Sequence, residues 1–263
     1  MELFFRKKGD DGEPLIILHG LYGSGDNWMS IARDLSESFS VYLPDLRNHG
    51  RSPHAEDMSY EALADDLHEF IEKQKLDKVN IIGHSMGGKT AMWFAAKHPE
   101  KVKKLIVVDV APGTYDSTSP NVETHKKIIN ALKSIDPSIV KSRKELDAEF
   151  AKQIPNLQLR MFLLKNIERQ DDGSYRWRLN IDSIEKNIGN IMGGIPDTSI
   201  KINVPTLFFK GALSDYITEE DLPVIKNIFP HSKVVTIPNA GHWLHARQPE
   251  LFTQKALEFL KGR

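Results

Sequence analysis

Short, unbroken apolar runs recur along this chain. LIILH (15–19) is closed by Gly20, SVYLP (40–44) by Asp45, and VNIIG (79–83) and LIVVDV (105–110) follow. Runs of this length without polar interruption fit strands buried on both faces. Between them the spacing turns helical. Tyr60, Leu63, Leu67, Phe70 and Ile71 recur at three- and four-residue intervals between Ser59 and Leu76, with Ser59 placed as an N-cap. A second helical pattern, TAMWFAAKHP, must end near Pro99. Strands alternating with helices predict parallel crossover units in an α/β sheet.

The rhythm breaks after Pro112. From about Asn121 to Asn190 helical patterns dominate: Val122, Ile128, Ile129, Leu132 and Ile135 predict one helix, KELDAEFAKQI and LQLRMFLLKNI two more. Asp172-Gly173 in RQDDGSYRWRLN predicts a turn between short extended pieces. Alternation resumes after Pro205 with the strand TLFFKG, a helix near 218–229, the strand KVVTIP, and a helix from about Pro249 to Leu260. The expected division is a core of residues 1–112 and 200–263, with a helical insertion at 113–199 that interrupts one sheet.

Composition narrows the partners. A chain of 263 residues suits one large domain with an ample core. Thirty-five basic and 36 acidic residues give a net charge of -1, so neither a nucleic acid nor an anionic membrane has an electrostatic footprint to meet. The absence of cysteine excludes disulfides and zinc–thiolate sites and fits a reducing compartment. MELFFRKKGDDGEP lacks a signal-peptide pattern, and no apolar run approaches the roughly 20 residues a membrane span needs. The expectation is a soluble, cytoplasmic protein with a small-molecule partner. Nothing in the pattern speaks to oligomeric state.

The chemistry concentrates in IIGHSMGGKTA. Gly83, Ser85 and Gly87 form G-x-S-x-G, with a strand before and a helix after. A serine on such a sharp turn is pushed out at the carboxyl end of the sheet, and the glycines remove side chains that would collide. The amide of Met86 then lies at a helix N-terminus, able to bind an oxyanion. In LHGLYGSGDNW, Gly20 lets the backbone approach, and the amide of Leu21 is the expected second donor. Gly20, Gly23 and Gly25 could instead form only a flexible loop. A phosphate cradle fails both the G-x-x-x-x-G-K-[ST] and G-x-G-x-x-G tests.

His242, in IPNAGHWLHARQPE after the last strand, can reach that same edge as a general base. With His245 it makes an HxxH pair, but no third ligand stands at helical spacing, so no metal or other cofactor is expected. His19 and His49 sit at strand ends and suit loop hydrogen bonds. His84 alternates away from Ser85, and His98 lies near a helix end. The acid that would orient the imidazole has three candidates: Asp109 at the end of LIVVDV, Asp215 in LFFKGALSDYI, and Asp182 in LNIDSI. Asp109 is preferred, because a buried carboxylate stays charged only beside donors such as a histidine and amides. Asp45, Arg47, His49 and Arg51 read as a polar cluster that supports a loop.

LHGLYGSGDNW, PDLRNHGRSP, GHSMGGKTA, VVDVAP and GHW together resemble the α/β-hydrolase superfamily over essentially the whole chain, and within it the YbfF-type esterases and their mitochondrial relatives. Asn48, where many members carry glycine, is part of that likeness. The resemblance implies a mostly parallel sheet with a helical cap inserted between strands six and seven. It implies a serine hydrolase, since dehalogenases and epoxide hydrolases of this fold place aspartate at the position of Ser85. It also implies that Asp109 pairs with His242 while Ser214 joins as a fourth member, hydrogen-bonded to His242 in the place the acid usually takes. The expected activity is hydrolysis of carboxylic esters of short to medium acyl length, with His19, Gly20 and Trp243 beside the substrate. Phe150, Met161, Phe162 and Trp177 form either an acyl pocket or the cap's own core. A thioesterase, a carbon–carbon hydrolase or a perhydrolase would use the same three side chains, and a ligand receptor could use the same fold.

Overall fold

The computed structural model describes residues 1–116, 118–195, 197 and 199–262. Among these, the strands are β1 (Phe5–Lys8), β2 (Glu13–Leu18), β3 (Phe39–Pro44), β4 (Val79–His84), β5 (Val102–Val108), β6 (Ile167–Arg169), β7 (Tyr175–Trp177), β8 (Thr206–Gly211) and β9 (Ser232–Ile237). The helices are α1 (Met29–Leu35), α2 (Tyr60–Lys73), α3 (Met86–Lys97), α4 (Pro120–Lys133), α5 (Arg143–Ala151), α6 (Leu157–Leu163), α7 (Ile181–Lys186), α8 (Ile188–Met192), α9 (Asp221–Ile228), α10 (Leu244–Arg247) and α11 (Pro249–Lys261). None is long and apolar enough to cross a membrane.

The described sheet has seven strands in the order β1-β3-β2-β4-β5-β8-β9. β1 pairs antiparallel with β3, and the remaining pairs are parallel. β3 and β4 are buried along their whole length, which explains their unbroken apolar runs. The two-residue period of a strand divides the core. Ile16 and Leu18 point into one layer with α2 and α3, and Leu15 and Ile17 into the other with α1 and α11. The Ser59 hydroxyl caps α2 by accepting from the Ala62 amide, and Gly262 at φ +73° closes α11.

Between β5 and β8 lie α4 to α8 and the antiparallel hairpin β6–β7, with Gly173 at φ +87° in its turn. In the described sheet this insertion follows the fifth strand, one fewer than the family count. The strands it separates remain hydrogen-bonded neighbours, from Leu105 against Thr206 to Val108 against Phe209. Its two ends are clasped together: Ile195 N donates to Pro112 O (2.9 Å) and Tyr115 N to Met192 O (2.9 Å). The buried Lys89 ammonium donates to the carbonyls of Gly113 (2.6 Å) and Gly193 beside them. Asn48 holds the insertion from the core loop. Its left-handed backbone (φ 66°) suits asparagine or glycine, but only the amide can accept from Ala55 N (2.8 Å) and Asn180 Nδ2 (3.0 Å).

Several expected boundaries shift; the helix expected over LQLRMFLLKNI, for one, ends at Leu163, and Ile167 opens β6. The strand expected over 105–110 stops at Val108, because Asp109 turns to φ 52°. The helix expected near 218–229 is shorter, spanning Asp221–Ile228.

Close approach of α3 to β2 yields a first prediction. A Cβ on Gly87 would lie 2.5 Å from Leu18 O and 2.6 Å from His19 O, both backbone atoms that cannot give way. Gly87→Ala should therefore lower stability by about 1–3 kcal/mol. A urea midpoint equal to wild type would contradict that packing.

Candidate active site

β4 ends at His84 and α3 begins at Met86, leaving Ser85 as the turn between them. Its backbone sits at φ 53°, ψ −119°, a region that costs a non-glycine residue about 1–3 kcal/mol. The strain is held in place by Ser85 N donating to Val108 O (3.0 Å), and by Gly83, where a Cβ would strike the Gly87 carbonyl. Although Ser85 stands at the N-cap position of α3, its hydroxyl does not cap the helix. It lines a cavity of about 200 Å³ instead.

Gly20 lets the β2 loop approach this turn: a Cβ there would lie 2.8 Å from His84 Nδ1 and 3.2 Å from the Ser85 Cβ. Leu21 and Met86 border Ser85 in an adjoining void of about 10 Å³, close to the room one water-sized atom needs. Among the described residues, neither the Leu21 amide nor the Met86 amide donates to another protein group. Two unpaired amides beside a strained serine can stabilise negative charge on a small oxygen.

The Asp109 carboxylate is fully buried. Its Oδ1 accepts from Gly211 N (2.8 Å), and its Oδ2 accepts from both His242 Nδ1 (2.9 Å) and the Ser214 hydroxyl. Asp109 N in turn donates to Phe209 O (2.8 Å), so the β5–β8 pairing fixes where the carboxylate stands. The other two candidate acids lie elsewhere. Asp215 is exposed, and Asp182 is 76% exposed and paired with Lys133 (3.2 Å) on the surface of the insertion. One expectation is corrected. Ser214 bonds to Asp109 rather than to His242, because the imidazole Nδ1–H and the hydroxyl are both donors and converge on the same acceptor.

The neighbouring histidines are neutral supports. His84 Nε2 donates to the His242 carbonyl (2.9 Å). His19 donates from Nδ1 to Gly20 O (2.9 Å) and accepts at Nε2 from Leu46 N (2.9 Å), so both ring nitrogens are committed to backbone. His49 likewise serves Arg47 O (2.8 Å) and Tyr22 N (3.2 Å). Burial pushes His19 down to about 4, His49 to about 3 and His245 to about 3, with His84 well below its ordinary value. His245 lies face to face on Trp28 (4.0 Å between ring centres). Among the described residues no cluster of three or more His, Asp or Glu side chains is arranged for a metal ion. The loop cluster is also structural: Asp45 accepts from Gly25 N and Arg51 N, and Arg47 pairs with Asp66 (2.6 Å).

His19, Gly20 and Trp243 all line the cavity with Ser85 and His242. Of the four insertion residues considered for an acyl pocket, Phe162 reaches the cavity and packs against Trp243 (5.7 Å). Met161 borders an open groove of about 510 Å³ that shares Phe162 and Trp243 with it. Phe150 is buried beside Trp177 (5.7 Å), away from Ser85, and belongs to the insertion's core. Sequence reasoning missed Tyr22, His125 and Tyr216, which also line the cavity. His125 did leave a signal, as a polar residue on the apolar stripe of Val122, Ile128 and Ile129.

A family model described as alpha/beta hydrolase fold matches residues 13–153. The chain is 38% identical over 263 residues to the sn-1-specific diacylglycerol lipase ABHD11 of Danio rerio, covering 98% of this chain and 81% of the relative. It is 32% identical over 252 residues to Esterase YbfF of Escherichia coli (strain K12), covering 95% and 94%. A solved structure named Marine microorganism esterase matches with a TM-score of 0.97 and 72% identity, over 98% of this chain and 99% of that one.

The buried imidazoles predict an acid-side loss of stability. Each has a folded-state pKa below the unfolded value of about 6.5, so the unfolded chain binds more protons between the two. Their contribution is intact above about pH 6.5 and falls as pH drops toward the folded values, by about 1.4 kcal/mol per pH unit per group. The urea midpoint should be lower at pH 5 than at pH 7. Equal midpoints would contradict neutral burial of these rings.

Proposed function

The chain belongs to the alpha/beta-hydrolase fold family, and from that premise we propose that it hydrolyses carboxylic esters through an acyl-enzyme on Ser85. The observation that carries the proposal is the strained, uncapped Ser85 in one cavity with a His242 whose Nδ1 is held 2.9 Å from buried Asp109. In this reading the Ser85 hydroxyl attacks the ester carbonyl while the Nε2 of His242 takes its proton. The carbonyl oxygen, now negative, is received by the amides of Leu21 and Met86, each such donor lowering the barrier by ~2.7–4 kcal/mol. His242 returns the proton to the leaving alcohol. A water that gives its proton to the same nitrogen then attacks the acyl carbonyl, and His242 passes that proton to the Ser85 oxygen as the acyl–serine bond breaks and the acid leaves. Asp109 keeps the Nδ1 proton in place and stabilises the imidazolium.

Relatives named esterase and lipase support an ester as the bond cleaved. The cavity supports the acyl length: about 200 Å³ lies below the usual range of drug-sized pockets, so short to medium chains fit. Residues 113–199 act in this reading as a cap supplying one wall of the cavity, through His125, Ile128, Leu159 and Phe162. A cytoplasmic location accords with the absence of cysteine.

A fluorophosphonate probe should label the wild-type protein at Ser85. Ser85→Ala should lose labelling and reduce turnover of short p-nitrophenyl esters by at least about 10³-fold. Labelling at another residue, or a Ser85→Ala variant as active as wild type, would overturn the proposal.

A further inference from the structure

The His125 imidazole meets two tyrosine hydroxyls, one at each ring nitrogen, and this arrangement does more than satisfy a buried ring. We infer that His125 is a positioning residue, through which the cap fixes both the oxyanion loop at Tyr22 and the plane of the His242 ring at Tyr216. The inference rests on the roles proposed above for Ser85, His242 and Leu21.

His125 stands on the buried face of α4 and is 7% exposed. Its Nδ1 lies 3.4 Å from the Tyr22 hydroxyl and its Nε2 3.2 Å from the Tyr216 hydroxyl. Burial lowers its pKa to about 4, so the ring is neutral and carries one donor and one acceptor. One tyrosine must therefore donate to it and the other accept from it, which orients both hydroxyls at once.

Tyr216 carries the consequence to His242. The two rings stack with centres 3.8 Å apart and planes within 19°. A hydrogen bond from Nδ1 to Asp109 fixes one point of an imidazole but leaves the ring free to rock about that bond. Rocking moves Nε2, the nitrogen that must face Ser85. A flat ring against one face suppresses it, provided the flat ring is itself fixed. Tyr216 is fixed along its length: its amide donates to the Ser214 hydroxyl (3.4 Å), its carbonyl accepts from the Tyr115 hydroxyl (2.7 Å), and its own hydroxyl meets His125.

Tyr22 carries the other consequence. It follows Leu21 directly and has a left-handed backbone (φ 62°), a conformation that needs outside support. Its amide donates to His49 (3.2 Å), its carbonyl accepts from Asn166 of the cap (2.8 Å), and its hydroxyl meets His125. The cap thus holds the residue next to the proposed oxyanion donor at two points.

The test compares His125→Phe, His125→Gln, Tyr216→Phe and Tyr216→Leu in the full-length protein. The readouts are kcat and KM on a short p-nitrophenyl ester, the rate of fluorophosphonate labelling, and the thermal midpoint. His125→Phe keeps the apolar contact but removes both hydrogen bonds. It should lower kcat about tenfold with KM within about twofold, and slow labelling in parallel, because misplaced groups cost rate rather than binding. His125→Gln, which retains a donor and an acceptor, should recover most of that loss. Tyr216→Leu should lose more activity than Tyr216→Phe, which keeps the stack. A His125→Phe variant with kcat and labelling within about twofold of wild type overturns the inference, as does a loss confined to KM or a His125→Gln variant no better than phenylalanine. Should His125→Phe fail to fold, His125→Leu, which also removes both hydrogen bonds, takes its place on the same terms; should Tyr216→Phe fail to fold, a Tyr216→Leu variant within about twofold of wild type overturns the inference. If wild type is itself not labelled at Ser85, the ester-hydrolase proposal fails; normal wild-type labelling with unaffected variants removes this inference alone.

Discussion

A carboxylate with no exposed surface, at the end of the fifth strand, constrains the whole site. Burying a charge without partners costs several kcal/mol, so Asp109 requires donors close by. They arrive from two directions that only the finished sheet brings together. Gly211 and Ser214 come with the neighbouring strand β8, and His242 comes from the loop beyond β9. The register of β5 against β8 therefore does more than close the sheet: a shift of one residue would turn Asp109 to the other face and leave both it and His242 without their partner. The same strand end supports Ser85, whose amide bonds to Val108. Nucleophile, base and acid, in the proposed roles, hang on one short length of parallel sheet.

Much of this was legible in the chain because its causes are local. Unbroken apolar runs mark doubly buried strands, and the G-x-S-x-G spacing follows from steric collisions that any turn of this shape must avoid. The loss of strand pattern after Pro112 marks the insertion, since crossover units cannot be built without it. The boundary at Asp109 was harder. LIVVDV reads as one run, yet the strand ends at Val108 because the aspartate adopts φ 52° to meet its partners, a tertiary demand that apolar patterning does not carry.

Contacts between distant segments were the least legible. Ser214 was expected beside His242, but its hydroxyl goes to Asp109, a choice set by donors and acceptors in three dimensions. Tyr216 follows it by two residues and looks like an ordinary aromatic, while its ring lies flat against that of His242. Phe150 and Trp177 show the converse: large aromatics that suggest a substrate pocket pack against each other inside the insertion. Periodicity reports which side of a helix is buried, but not whether the insertion's own core or the cavity beside Ser85 receives it.

The central claim is that Asp109, not the exposed Asp215 beside the usual strand-end position, orients the base. Measuring ester turnover for Asp109→Asn and Asp215→Asn side by side tests it most directly. An asparagine at 109 would turn an amide toward donors and favour the wrong tautomer of His242, so kcat should fall by about 10⁴-fold, while the exposed site should leave turnover within about twofold of wild type. Near-normal turnover in Asp109→Asn together with collapse in Asp215→Asn would contradict the account.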